Sequence, residues 1–189
     1  MRFTATPLPG VIQVELDVYR DDRGHFLESF HQKKYAEGGI EGPFVQDNFS
    51  KSQKGTLRGL HAQLTHPQAK LVHVVSGAIW DVAVDIRPES PTYKKWYGLT
   101  LSAEKPMQLF IPIGFAHGFC VLSDIAEVEY KCTDLYDPSH ELHLLWNDPD
   151  LGIKWPIQHP TLSQKDLKGV SLREIEPQLS LYYDLSKTK

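Results

Sequence analysis

From residue 11 to residue 133 the chain is a succession of short runs rich in β-branched and aromatic residues, separated largely by turn sequences. The runs fall at 11–18, 25–30, 44–50, 57–64, 70–76, 78–86, 96–101, 108–111, 117–122 and 126–133. Between them lie Asp21-Asp22-Arg23-Gly24, Ser76-Gly77 and Pro88-Glu89-Ser90-Pro91, and after the last comes Asp137-Pro138, all built from residues that reverse a chain at little cost. Many short strands at such spacing imply an all-β sandwich or barrel. Helix is expected only at 32–37, stopped by Gly38-Gly39, and in one or two segments after Ser163. No repeat or interdomain linker is visible. The expectation is a single domain over residues 1–189, with a barrel core at about 40–135 and both termini wrapped around it.

Period-two alternation says which side chains face inward. In Glu127-Val128-Glu129-Tyr130-Lys131-Cys132 the charges share one face, so Tyr130 points to the interior with Val128 and Cys132. In residues 57–63 the same parity groups Leu57, Gly59, His61 and Gln63 and leaves Arg58 opposite. A bulge at Gly59 would bring Arg58 and His61 to a common site. Gln46-Asp47-Asn48 places three consecutive polar residues in an otherwise apolar strand, which suits either ligand hydrogen bonds or structural capping.

The segment from Gly55 to Gly77 resembles the first motif of the cupin family of small metal-binding β-barrels. Its glycine spacing is kept, but Gln63 replaces one histidine of the usual pair and Lys70 stands near the usual glutamate. Ile111-Pro112-Ile113-Gly114-Phe115-Ala116-His117 matches the core of the second cupin motif, with Val121 in place of its asparagine. A divalent metal is therefore not expected at this site. On a cupin frame His61, Lys70, His117 and Tyr130 face one cavity. A lone inward histidine is ordinarily a satisfied core residue, and a strand tyrosine is ordinarily packing. A lysine inside a barrel needs a partner or a ligand, because desolvation penalises its charge.

Together these groups describe proton chemistry beside a carbonyl. A neutral histidine can remove a proton α to a ketone, a cation can hold the enolate oxygen, and an opposed tyrosine can return a proton to the other face. Base, enolate stabiliser and opposed acid make an epimerase.

Composition narrows the partners. The formal charge of -4 over 189 residues and a pI near 6.1 argue against a general nucleic-acid binder, which needs a basic face. Two cysteines, Cys120 and Cys132, make no disulfide framework. The sequence shows no apolar leader and no run of the roughly 18 apolar residues that a membrane span needs, so a cytoplasmic protein without membrane contact is expected.

Ordered blocks nearly end to end resemble the dTDP-4-dehydrorhamnose 3,5-epimerase family of the cupin superfamily. They include Asp22-Arg23-Gly24-His25-Phe26-Leu27-Glu28, Phe44-Val45-Gln46-Asp47-Asn48, Leu57-Arg58-Gly59-Leu60-His61, Tyr130-Lys131-Cys132-Thr133-Asp134 and Leu162-Ser163-Gln164-Lys165-Asp166. The resemblance implies a cofactor-free jelly roll acting on a dTDP-4-keto-6-deoxyhexose. It implies that His61 is the base, oriented by Asp166, that Tyr130 is the acid and that Lys70 holds the enolate oxygen. Arg23, Arg58 and Lys165 resemble the family's substrate-binding cations. Phe26, Glu28, Gln46, Asp47, Asn48, His117 and Glu141 fall in its binding blocks, and Tyr136 matches the aromatic that stacks on thymine. The family is homodimeric, with Arg23, Phe26 and Glu28 reaching the partner's site. His73 stands where arginine is common and Ala62 where an aromatic is usual, which leaves the preferred deoxysugar open between the 3,5-epimerases and the monofunctional 3- or 5-epimerases. The rivals outside this family are a metal-dependent cupin and a non-catalytic sugar-binding jelly roll.

Overall fold

The structure is a computed structural model and describes residues 1–182; the tail left unassigned by sequence, 181–189, lies outside the described residues from 183 onward. The strands are β1 (Arg2–Ala5), β2 (Ile12–Glu15), β3 (Val18–Asp21), β4 (Gly24–Leu27), β5 (Gln46–Gln53), β6 (Leu57–Gln63) and β7 (Lys70–Ser76). They continue as β8 (Ala78–Asp85), β9 (Trp96–Ser102), β10 (Met107–Ile111), β11 (Phe115–Val121), β12 (Ile125–Cys132) and β13 (Glu141–His143). Helix is limited to α1 (Gln32–Glu37), a 3-10 turn at Asp166–Lys168 and α2 (Leu172–Tyr182).

Two antiparallel sheets face each other. One has the order β1-β2-β10-β7-β12-β5 and the other β13-β6-β11-β8-β9, while β3 and β4 form a separate hairpin. This is the all-β jelly roll expected. β1 and β13 were not among the expected strands: one holds four residues and the other three, too few alternations to stand out from coil.

Three apolar clusters explain the layering. Between the sheets, alternate residues such as Val72, Val74, Val121, Ala126 and Val128 make the inner core. Outside the five-stranded sheet, the intervening residues Leu60, Ala62, Val82 and Val84 pack under Leu172, Ile175 and Leu179 of α2. Outside the six-stranded sheet, Leu71 and Phe110 pack with Tyr35 of α1 and Ile40. Each sheet thus buries both faces over much of its area, and the strands covered on both sides read as nearly continuous apolar runs.

α2 is anchored at its start in two ways. Ser171 and Glu174 form a reciprocal capping box, Glu174 N to Ser171 Oγ at 3.3 Å and Ser171 N to Glu174 Oε2 at 2.8 Å. The buried Asp148 carboxylate accepts from Leu172 N at 2.6 Å, tying the loop at Asp148 to the helix. Trp80, Trp96 and Trp155 lie partly buried against this outer core.

Candidate active site

The inner core fills one end of the space between the sheets. At the other end the same inward-facing rows turn polar. β7 passes from Val74 and Val72 to Lys70, β12 from Val128 to Tyr130, and β11 from Val121 to His117. They surround a cavity of about 300 Å³, also lined by Gln46, Asn48, Arg58 and His61.

Arg58 and His61 reach this cavity together because the register slips. β11 pairs His117 with His61 but Phe119 with Arg58, so β6 carries one extra residue between the two. Gly59 sits in the slip at φ +120, and a Cβ there would lie 2.5 Å from Gly118 Cα on β11. Only glycine fits both the backbone angle and the close approach.

His61 Nε2 lies 2.5 Å from Asp166 Oδ1. Asp166 is in turn held by Ser163, whose hydroxyl donates to Oδ2 at 2.7 Å and accepts from the Asp166 backbone N–H at 3.1 Å. Burial works to raise the Asp166 pKa, but hydrogen bonds from His61 and Ser163 outweigh it and leave the carboxyl below its usual value. Beside an ionised Asp166, a neutral His61 carries its proton on Nε2 and keeps the Nδ1 lone pair free. Burial lowers the His61 pKa, against the opposing pull of Asp166, so the ring is neutral at pH 7 and able to act as a base.

Lys70 enters from the facing sheet. Burial lowers its pKa, opposed by its neighbours, Cys132 first and then Glu141 and Asp81. Among the described residues it makes no ion pair, so its charge is available to a ligand. Tyr130, two residues from the Lys70 partner Cys132 on β12, has its pKa raised by burial and stays protonated well above neutrality. His117 Nε2 is 2.8 Å from Asp81 Oδ1, and both residues are buried.

Gln63, which takes the place of a metal-binding histidine, is only 5% exposed and is used as a clamp. Its amide donates to the carbonyls of His66 and Leu135 and accepts from Asp137 N at 2.8 Å, holding the loop that carries Tyr136. Tyr136 donates its hydroxyl to Glu141 Oε2 at 2.8 Å, and Lys165 Nζ lies 3.3 Å from the same oxygen at the cavity rim. Burial pushes the Glu141 pKa up, but Tyr136, the neighbouring histidines and Lys165 bring it below its usual value.

Four expected binding residues fall elsewhere. Asp47 points away from the cavity, because Gln46 and Asn48 on either side of it point in, and it pairs with Lys131 at 3.0 Å. Arg23, Phe26 and Glu28 lie on or next to the β3–β4 hairpin, outside the cavity of their own chain; Arg23 pairs with Asp21 and Phe26 is 68% exposed.

The site also contains residues not singled out from sequence. His143 sits opposite His61 in the β13–β6 register, ring to ring at 4.7 Å, with Nε2 2.9 Å from Glu141 Oε2. Asp81 steadies His117, and Ser163 steadies Asp166. The Glu141-Leu142-His143 alternation was the available signal for His143, but three residues are too short a run to read as a strand. His61, His143 and Asp166 have ligand atoms within 4.8 Å of one another, a set that can hold a cation.

A family model described as dTDP-4-dehydrorhamnose 3,5-epimerase matches residues 5–174. A relative of that name from Shigella flexneri is 53% identical over 171 residues, covering 89% of this chain and 94% of its own. A second, from Neisseria gonorrhoeae, is 54% identical over 172 residues, and this chain spans 52% of that longer protein. A crystal structure of dTDP-6-deoxy-D-glucose-3,5-epimerase from Legionella pneumophila Philadelphia 1, in complex with dTDP-4-keto-L-rhamnose, is 48% identical with a TM-score of 0.91. That match covers 94% of this chain and 96% of the other.

Proposed function

Because this chain belongs to the dTDP-4-dehydrorhamnose 3,5-epimerase family, we propose that His61, Lys70 and Tyr130 carry the conversion of dTDP-4-dehydro-6-deoxy-D-glucose to dTDP-4-dehydro-L-rhamnose. The observation that carries this reading is the placement of the three groups around one cavity, the base on one sheet and the cation and phenol on the other. The 4-keto group acidifies the hydrogens on C3 and C5. His61 Nδ1 removes one of them, and the electron pair moves onto the carbonyl oxygen as an enolate. The Lys70 ammonium stabilises that oxygen in a site sheltered from water. Tyr130 then donates its proton to the opposite face of the carbon and inverts it. One base and one acid serve both carbons, since both flank the same carbonyl.

Arg58 suits the diphosphate, Gln46 and Asn48 offer hydrogen bonds within the cavity, and the 46% exposed Tyr136 offers a face to the thymine at its rim. We assign Arg23, Phe26 and Glu28 to the site of a second copy of the chain in a homodimer, supported by the separation of their hairpin from both sheets and by the exposure of Phe26. No helix among the described residues is long and apolar enough to cross a membrane, and we assign the enzyme to the cytoplasm, where its cysteines stay as thiols.

Incubation with the 4-keto sugar nucleotide in D₂O, followed by proton NMR, tests the reading. Deuterium entering at both C3 and C5 is expected. Entry at one carbon makes the enzyme a monofunctional epimerase, and entry at neither refutes the proposal.

A further inference from the structure

We propose that His61, His143 and Asp166 form an inhibitory site for a borderline-soft divalent cation, Zn²⁺, whose binding removes the base from the reaction. The site shares His61 with the cupin metal position but takes its other ligands elsewhere, since there Gln63 is committed to a loop and Lys70 brings a positive charge.

The geometry begins with His143. Its Nε2 lies 2.9 Å from Glu141 Oε2, so in the neutral ring the proton belongs on that nitrogen and the lone pair on Nδ1. Nδ1 is buried and has no hydrogen-bond partner among the described residues. It faces Asp166 Oδ1 at 3.7 Å. That distance is too long for a hydrogen bond, and it sets a lone pair against a carboxylate oxygen. A zinc ion shared between the two atoms fits it better, since Zn–N and Zn–O bonds of about 2.0–2.2 Å meeting at a bent angle span such a gap. His61 Nε2, at 2.5 Å from the same Oδ1, supplies the third ligand once that pair opens by under about 1 Å toward the spacing of tetrahedral ligands.

The surroundings are those of a metal site. A carboxylate on the far nitrogen of a ligating histidine fixes its tautomer, and Glu141 does this for His143. Ser163 holds the other oxygen of Asp166 and leaves Oδ1 to the ion. The two histidines sit on paired strands in direct register, and Asp166 is anchored in its short helical turn. Two imidazoles and one carboxylate favour zinc over magnesium or calcium, which prefer all-oxygen sites.

The consequence for catalysis follows from the tautomer. The base uses the Nδ1 lone pair of His61 because its single proton lies on Nε2, against Asp166. A zinc ion on Nε2 takes that nitrogen's lone pair, so the neutral ring must carry its proton on Nδ1. The nitrogen that should accept the substrate proton is then already occupied.

The test uses the whole chain, stripped with EDTA and titrated with zinc sulfate by calorimetry, with magnesium chloride as control. One zinc per chain is expected, together with loss of epimerase activity that EDTA restores, and no effect of magnesium. His143→Gln is expected to weaken zinc binding by at least about tenfold, the smallest cost typical of removing even a supporting group from a metal site. Zinc-edge anomalous scattering from crystals of the unaltered protein locates the ion whether or not the variant folds. Absence of binding, binding at another place, unchanged affinity in His143→Gln, or full activity at zinc saturation would each overturn the proposal. Calorimetry and scattering do not depend on turnover, so they separate failure here from failure of the epimerase reading.

Discussion

Replacing Lys70 by methionine sets stability against catalysis. Methionine keeps about the same length and volume and removes the charge. In the folded protein burial holds the Lys70 pKa below its ordinary value of 10.5, and no carboxylate pairs with it among the described residues. The unfolded chain therefore binds the Lys70 proton more readily than the folded one. At neutral pH the lysine is a cost to folding, which begins to ease as pH rises through its folded pKa and is gone only above its ordinary value of 10.5. Removing it is expected to stabilise the protein by about 0.5–2 kcal/mol, within the range of common stabilising substitutions. A domain of this size then melts higher by roughly 2–4 °C per kcal/mol. In the proposed mechanism the same change removes a unit charge from beside the enolate. At about 4 Å and an effective dielectric near 20 that charge is worth roughly 4 kcal/mol, or about a thousandfold in rate. Loss of a single oxyanion donor elsewhere costs about 10²- to 10³-fold, in line with this figure. Deuterium exchange by NMR reads the rate, and calorimetric melting at pH 7 reads the stability. If Lys70→Met exchanges within tenfold of the parent, or melts lower, the reasoning that Lys70 is an unpaired cation kept for the enolate is wrong.

Three further outcomes are expected. The acid limb of kcat/KM should lie below 6.5, because burial lowers the His61 pKa and keeps the base neutral further into acid; Asp166→Asn removes a group that raises it, so the limb moves lower still while the plateau falls roughly 10²- to 10⁴-fold. Gly59→Ala drives a Cβ to 2.5 Å from Gly118 Cα at a φ of +120, and should cost roughly 2–4 kcal/mol in urea unfolding together with most of the activity; a loss under about 1 kcal/mol would show that the strands separate freely. Gln63→Ala leaves Asp137 N–H and two carbonyls without their partners, at about 1–3 kcal/mol for each group that stays buried, and should expose residues 134–140 to limited proteolysis while the parent resists.

What the sequence determined by itself was the side of each strand. Period-two alternation decides which residues share a face before any partner is known, so Tyr130, Val128 and Cys132 were legible as inward, and α1 was legible in its bounds from the glycines that stop it. What it left open was whatever depends on a neighbour in space. The common site of Arg58 and His61 needed the slip against β11, and the outward turn of Asp47 needed β5 to be placed with Gln46 and Asn48 facing the cavity. His143 became part of the site only because three residues, Glu141 to His143, far along the chain from their partners Gln63, Ala62 and His61, add a strand at the edge of β6. Local periodicity is a property of one strand's own geometry. Which lone pair faces which carboxylate is a property of register between strands, and the tertiary structure alone decides it.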